Sequence, residues 1–236
     1  MGIIINWIYV CAALIPAVLL LIFIYRKDKI EHEPFGLLAK LFCMGVLAAL
    51  PALILEECTD ILLSPLSPVL GEIGMGILMA VFIGLIEEGV KFFYLYNGSW
   101  NNPDFNFQFD AVVYAVFVSL GFAAIENILY VFESGLAVAL GRALLAVPGH
   151  MAFSVFMGRY VGAAKVCEIR GDRVGVIKNL VIGYLLASLM HGFYDACAMT
   201  GTVLSLIIFI VFVIAMYILV FLRIRSDAKQ DTSIYY

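Results

Sequence analysis

Charged residues are scarce in this sequence, and the shortage excludes a soluble globular protein. Only 14% of the 236 residues are Asp, Glu, Lys or Arg, whereas 64% are hydrophobic and the mean hydropathy is +1.05. The strands of a membrane β-barrel would alternate in polarity, but the apolar runs here continue for about twenty residues. We therefore expect an all-α, polytopic membrane protein, because backbone groups in lipid must be hydrogen-bonded within helices or a closed barrel.

Several widespread catalytic and structural motifs are also missing. The five cysteines are scattered without C-x-x-C spacing, so no disulfide framework is predicted. The sequence contains no H-E-x-x-H zinc motif and no G-x-S-x-G nucleophile elbow. It also lacks the Gly-x-Gly-Asp motif of aspartyl intramembrane proteases. No motif indicates nucleotide or nucleic-acid binding, so we expect the lipid bilayer, and no nucleic acid, among the partners.

Seven apolar segments are long enough to cross a membrane as helices. They cover residues 3–25, 35–55, 73–96, 111–132, 141–164, 176–199 and 203–222. Basic clusters follow the first, fifth and seventh segments, whereas the loop after the second segment is acidic. The positive-inside rule then predicts an outside N-terminus and a cytoplasmic C-terminus. No repeat or linker is visible, so we expect one transmembrane domain over residues 1–236.

The third segment contains charges that its apolar surroundings do not explain. Glu87 and Glu88 are adjacent, and Lys91 follows four and three residues later, so the ammonium can reach either carboxylate on a helix. A charged side chain at the centre of a spanning helix costs about 2.5–3.5 kcal/mol on insertion scales. Charges maintained at such a cost predict a functional site, with a structural ion pair as the alternative.

A stripe of small residues leads to the second glutamate. Gly76, Ala80 and Gly84 precede Glu88 at four-residue steps, and a similar stripe precedes His191 in the sixth segment. Small residues let membrane helices approach closely. The spacing therefore predicts that Glu88 lies in a helix–helix seam, away from lipid. For this reason we expect Glu88 to be the more important of the two glutamates.

Further polar residues occur on three other segments. They are Glu126 in the fourth segment, His150 in the fifth, and His191 with Asp195 in the sixth. Together with the glutamate pair they can coexist in a membrane only by sharing a cavity. The i, i+4 spacing of His191 and Asp195 fits either two ligands of one metal or a carboxylate that orients an imidazole. Carboxylates beside histidines suit water activation, by general base catalysis or through a metal.

Taken together, these motifs resemble the PrsW family of bacterial intramembrane proteases and, more distantly, the CAAX-protease and bacteriocin-processing superfamily. The motifs are Glu87-Glu88-Gly-Val-Lys91, Phe122-x-x-x-Glu126-Asn127, His150 and His191-x-x-x-Asp195. The resemblance covers about residues 71–198. It implies a multi-pass plasma-membrane protease that makes the first cut in a single-pass, membrane-anchored anti-sigma factor. Release of a stress-response sigma factor would follow after later steps.

The resemblance also implies roles for individual residues. In the family, the paired glutamates and the histidine matching His191 are treated as the catalytic core. We expect Glu87, Glu88, Lys91, Glu126 and His191 to be catalytic. A metal, if one is used, would be held by His150, His191 and Asp195.

The sequence leaves the use of a metal and the functional class open. The motifs are compatible with a zinc ion and equally with a metal-free glutamate mechanism. A proton- or ion-coupled transporter is the alternative function, since buried Glu and His residues also form relays, and a non-catalytic membrane scaffold is a third. Prenyl-protein processing is disfavoured, because CAAX-type relatives tend to have Arg after the glutamate pair and His where this chain has Glu126.

Overall fold

The computed structural model describes residues 2–235, with side chains from residue 6 onward. This part of the chain forms eight α-helices: α1 (Gly2–Tyr25), α2 (Phe35–Leu63), α3 (Ser67–Ser99), α4 (Asp110–Ser134), α5 (Ala137–Leu144), α6 (Ala146–Ile169), α7 (Arg173–Thr200) and α8 (Val203–Lys229). Six segments of it are long and apolar enough to cross a membrane, and one of them, Phe35–Ser99, contains both α2 and α3. The helical polytopic fold is confirmed, while the number of spans and their orientation stay predictions.

Two of the differences from the predicted segments affect the cavity described below. Helix α2 continues to Leu63 instead of ending at residue 55, because its glutamates end the apolar run without ending the helix. The fifth predicted segment, residues 141–164, is divided between two helices: α5 ends at Leu144 and α6 begins at Ala146. Neither of these boundaries coincides with a change in hydropathy. The hydropathy of the sequence therefore predicted the apolar stretches but not these helix ends.

Helix α4 lies at the centre of the bundle. Every residue from Asp110 to Ala124 is buried, and the helix contacts α1, α2, α3, α5 and α6. A helix that is apolar on all sides is expected in such a position. The outer helices expose large aliphatic side chains, such as Leu19 of α1, Leu50 of α2 and Val211 of α8, as a lipid-facing surface requires.

Helices α3 and α7 pack with their backbones in contact. A Cβ atom on Gly84 would lie 2.6 Å from the backbone nitrogen of Gly192 and 2.6 Å from the carbonyl oxygen of Ser188. The prediction of a helix–helix seam at the small stripe is therefore confirmed at Gly84. The seam does not extend to Gly76, where an added Cβ would meet nothing within 4 Å. The close approach brings Glu88 against α7.

Two glycines with positive φ change the direction of the chain at the ends of long helical segments. Gly71 has φ +66° and kinks α3 near its start. Gly201, also with φ +66°, ends α7. Thr202 and Ser205 then form a reciprocal capping box that starts α8. The turn at Gly201 and Thr202 lines the cavity described below.

Candidate active site

The ammonium of Lys91 lies between the predicted catalytic groups. Its Nζ atom is 2.8 Å from Glu87 Oε2, 2.8 Å from Glu88 Oε1 and 3.0 Å from His150 Nδ1. The same ammonium lies 4.1 Å from the centre of the Phe122 ring. All four polar side chains are buried. A buried charge requires paired partners, and here one cation is shared by two carboxylates.

Helix α6 supplies His150, whose ring is held from both sides. Its Nε2 atom lies 2.8 Å from Glu126 Oε2 on α4, opposite the Lys91 contact. The Glu126 oxygen also pairs with Arg142 Nη2 at 2.9 Å. These contacts fix the ring orientation of His150 and join α3, α4, α5 and α6 in one polar network.

Helix α7 supplies His191, which also has a carboxylate at each ring nitrogen. Its Nδ1 atom lies 3.0 Å from Glu88 Oε1, and its Nε2 atom lies 3.3 Å from Asp195 Oδ2. The ring stacks on Phe153, with 4.8 Å between centroids. Asp195 therefore fits the alternative in which a carboxylate orients an imidazole. The predicted metal-ligand role of Asp195 does not match this placement, because its carboxylate is on the far side of the ring from the glutamate pair.

The donor groups nearest to one another form a set that a metal could use. One ligand atom each from Glu87, Glu88, His150 and His191 lies within 4.8 Å of the other three, and all four residues are buried. Glu88 Oε2 is buried without a hydrogen-bond partner in the described part of the chain. Two imidazoles and two carboxylates suit zinc. Lys91 contacts three of these four residues, so a bound cation would share its surroundings with the ammonium.

The two adjacent glutamates differ in their access to open space. A cavity of about 770 Å³, lined by residues of α2 to α8, reaches Glu87, His150 and His191. Glu88 does not line the cavity and is 0% exposed. The stripe ending at Gly84 therefore buries Glu88 as predicted, but this burial separates it from the cavity. The geometry favours Glu87 as the group that meets water and substrate, contrary to the preference for Glu88.

Arg142 belongs to the site but was not anticipated from the sequence. Its Nε atom donates to Asn127 Oδ1 at 2.8 Å, and its guanidinium lies 3.9 Å from the Tyr130 ring centre. Asn127 in turn donates to the carbonyl oxygen of Ala13 at 2.8 Å, which connects α1 to the network. A lone arginine near the start of a predicted apolar segment was the available signal.

Glu56 is a second unanticipated residue of the cavity wall. The sequence placed it in the acidic loop after the second apolar segment. Because α2 continues to Leu63, Glu56 remains helical and lies on the same face as Ala49 and Ala52, which also line the cavity. The extension of the helix could not be deduced from hydropathy.

A buried cluster of carboxylates and histidines beside a cavity, inside an all-helical membrane protein, has the groups that a membrane-embedded hydrolase centre requires. Residues 33–222 match the model of the PrsW family intramembrane metalloproteases. The chain belongs to this family. The proposed resemblance is therefore confirmed over most of the chain.

Proteins named Protease PrsW are similar to this chain along most of their length. The one from Halalkalibacterium halodurans is 31% identical over 220 residues, covering 93% of this chain and 97% of the relative. The one from Geobacillus kaustophilus is 36% identical over 189 residues, covering 79% and 77%. The Bacillus subtilis protein is 32% identical over 188 residues, covering 79% and 80%. No solved structure matches the fold.

These similarities decide between the functional classes that the sequence left open. The protein is a membrane protease, and therefore a hydrolase, rather than a transporter or scaffold. With its several membrane-length helices it is a multi-pass protein of the bacterial cell membrane. The family is one of metalloproteases, which favours a metal over the metal-free alternative.

Proposed function

We propose that the protein makes the first cut in a single-pass, membrane-anchored anti-sigma factor, which leads to release of a stress-response sigma factor. The family resemblance of the glutamate and histidine motifs supports this substrate class. The cavity supports it as well, because most of its wall is apolar and its polar groups are concentrated at one place. Such a space suits an unwound membrane segment, whose peptide groups can pair only with a few fixed polar partners.

One observation carries the catalytic part of the proposal: Glu87 borders the cavity while its neighbours hold it in place. In this mechanism Glu87 removes a proton from the attacking water and later delivers it to the leaving amine. Lys91, 2.8 Å from Glu87 Oε2, holds the carboxylate in position. His150 and His191 line the same cavity, and both nitrogens of each ring are engaged by neighbouring groups, which fixes the two rings beside Glu87.

We propose zinc as the metal, with Glu88, His150 and His191 of the four clustered donors as its ligands, which leaves Glu87 free as the general base. Glu88 and His191 are the most closely associated pair, at 3.0 Å, and Glu88 has one unpartnered oxygen. When bound, zinc would polarise the scissile carbonyl and acidify a coordinated water. Glu126 and Asp195 would not bind the metal. Each would orient one histidine by its contact with the Nε2 atom of that ring.

The proposal is tested by incubating the purified protein in proteoliposomes with candidate membrane-anchored anti-sigma factors. We expect one defined product whose new terminus, located by mass spectrometry, lies in or next to the membrane segment. The protein used must bind zinc and show a cooperative thermal transition. If such protein cleaves none of the candidates, the proposed substrate class is contradicted.

Zinc is tested separately by elemental analysis of the same preparation. We expect about one zinc per chain, and less in His150→Ala and His191→Ala, since each variant removes one of the candidate nitrogen ligands. Activity should fall with a strong chelator and return when zinc is added. A metal-free preparation with full activity would rule out zinc and leave the glutamate mechanism.

A further inference from the structure

Glu56 faces the active-site cavity from α2. The cavity-lining residues of this helix are Ala49, Ala52, Leu53 and Glu56, at positions i, i+3, i+4 and i+7. This spacing describes one continuous helix face. The Glu56 carboxylate therefore borders the same space as Glu87, although the two residues are on different helices.

Glu56 differs from the other acids of the cavity in having no partner. Four carboxylates line the cavity: Glu56, Glu87, Glu126 and Asp195. The last three are paired with Lys91 at 2.8 Å, Arg142 at 2.9 Å and His191 at 3.3 Å. Glu56 makes neither a side-chain hydrogen bond nor an ion pair within residues 6–235. Its carboxylate is therefore free to bind a ligand.

The charges around Glu56 favour a cation. Glu87 and Glu126 bring like charge to the same cavity, and Lys91 and His191 are already engaged by other acids. Much of the remaining wall is apolar, which limits compensation by water. A positively charged side chain in the cavity would supply the missing partner through charge-assisted hydrogen bonds.

We propose that Glu56 is a specificity-determining residue that binds a lysine or arginine side chain of the substrate close to the scissile bond. This inference rests on the proposed proteolytic function and adds a substrate preference to it. Glu56 contacts substrate in this proposal but takes no part in proton transfer, so its replacement changes which substrate is cleaved rather than whether cleavage is possible.

The test uses one membrane-anchored substrate with Lys, Gln or Glu placed in turn at each position within about four residues of the cut. At one position the wild-type protein should cleave the Lys form at least about tenfold faster than the Gln form. Glu56→Gln should reduce this ratio to about twofold or less, and Glu56→Lys should shift the preference to the Glu form. Glu57→Gln is the matched control, because Glu57 is the adjacent acid, is exposed and does not line the cavity.

A binding measurement separates this inference from the proteolytic function. The affinity of the Lys and Gln substrates for the protein is measured in detergent, independently of turnover. Preferential binding of the Lys form that disappears in Glu56→Gln supports the inference even if no substrate is cut. Equal treatment of the Lys and Gln forms by the wild type, or an unchanged preference in Glu56→Gln with a wild-type melting temperature, would overturn it.

Discussion

Glu87 and Glu88 are consecutive residues whose carboxylates have different surroundings. Glu87 borders the cavity, whereas Glu88 is fully buried and its Oε1 atom lies 2.8 Å from Lys91 Nζ and 3.0 Å from His191 Nδ1. Consecutive side chains on an α-helix diverge by about 100°, so one helix can direct one acid to the cavity and the next to a neighbouring helix. The pair therefore combines an accessible acid with an acid that holds α3 and α7 together.

Removing the shared cation should destabilise the protein severely. Lys91→Met leaves two buried carboxylates without their common partner, and breaking a buried ion pair in this way costs about 3–5 kcal/mol. Thermal unfolding in detergent measures the loss. Lys29→Met, at an exposed position of the α1–α2 loop, should change stability by less than about 0.5 kcal/mol. Similar melting temperatures for both variants would contradict the assigned role of the ion pair.

The close packing of α3 on α7 should be necessary for activity. Gly84→Leu places a side chain where even a Cβ would be 2.6 Å from backbone atoms of α7, so the helices must separate and Glu88 must move away from His191. We expect at least a tenfold loss of cleavage rate, in line with the effect of displacing catalytic groups by about 1 Å.

Gly76→Leu is the control for this effect on the same helix. An added Cβ at Gly76 meets nothing within 4 Å, so this variant should retain nearly full activity. Equal losses in both variants would mean that bulk anywhere on α3, rather than separation from α7, reduces the rate.

Arg142 should act as a positioning residue through Glu126. Loss of a group that orients a histidine partner typically costs about 10–100-fold in activity or metal affinity, so Arg142→Gln is expected in that range. Arg142→Lys keeps the charge near Glu126 but loses the bond to Asn127, and should be intermediate. Combining Arg142→Gln with Glu126→Gln should cost less than the product of the two single effects. Fully multiplicative losses would show that the two residues act independently.

The loop before α2 should make stability dependent on pH. Burial raises the pKa of Glu33 from 4.5 to about 7, although a hydrogen bond from Tyr114 at 2.5 Å opposes the rise. The folded state therefore binds this proton more tightly than the unfolded state. Its contribution to stability is complete below about pH 4.5 and is lost as the pH rises through about 7.

The corresponding measurement is the melting temperature between pH 4.5 and 7 in wild-type and Glu33→Gln protein. The decline across this range should be smaller in Glu33→Gln, though not absent, because burial also raises the pKa of Asp28 to about 6. Glu31→Gln, at an exposed position of the same loop, should change the decline much less than Glu33→Gln does. A decline that is equally steep in Glu33→Gln would refute the assignment.

Much of the site could be predicted because charge is costly in an apolar segment. This cost made Lys91, Glu126 and His191 conspicuous within long hydrophobic runs, and the structure brings all three into one network. The i, i+4 relationship also predicted the contact between His191 and Asp195 correctly. Local spacing on a helix is fixed by geometry, so it can be read without knowledge of the tertiary structure.

The residues that were missed depend on tertiary structure. Glu56 lines the cavity because α2 continues beyond its apolar part. Arg142 pairs with Glu126 from α5, a short helix that is separated from α6 by an interruption at Leu145. The preference for Glu88 over Glu87 failed for the same reason. The small stripe predicted which acid is buried, but the packing of all the helices that line the cavity decides which acid borders it.

The most direct test of the central claim compares wild-type and Glu87→Gln protein side by side in proteoliposomes. The quantity measured is the rate of peptide-bond cleavage in a single-pass substrate. Glutamine preserves the shape of the side chain but cannot accept the proton from water, so the account predicts a loss of at least about 100-fold with helical content unchanged. Cleavage by Glu87→Gln at the wild-type rate would contradict the account and remove Glu87 from the mechanism.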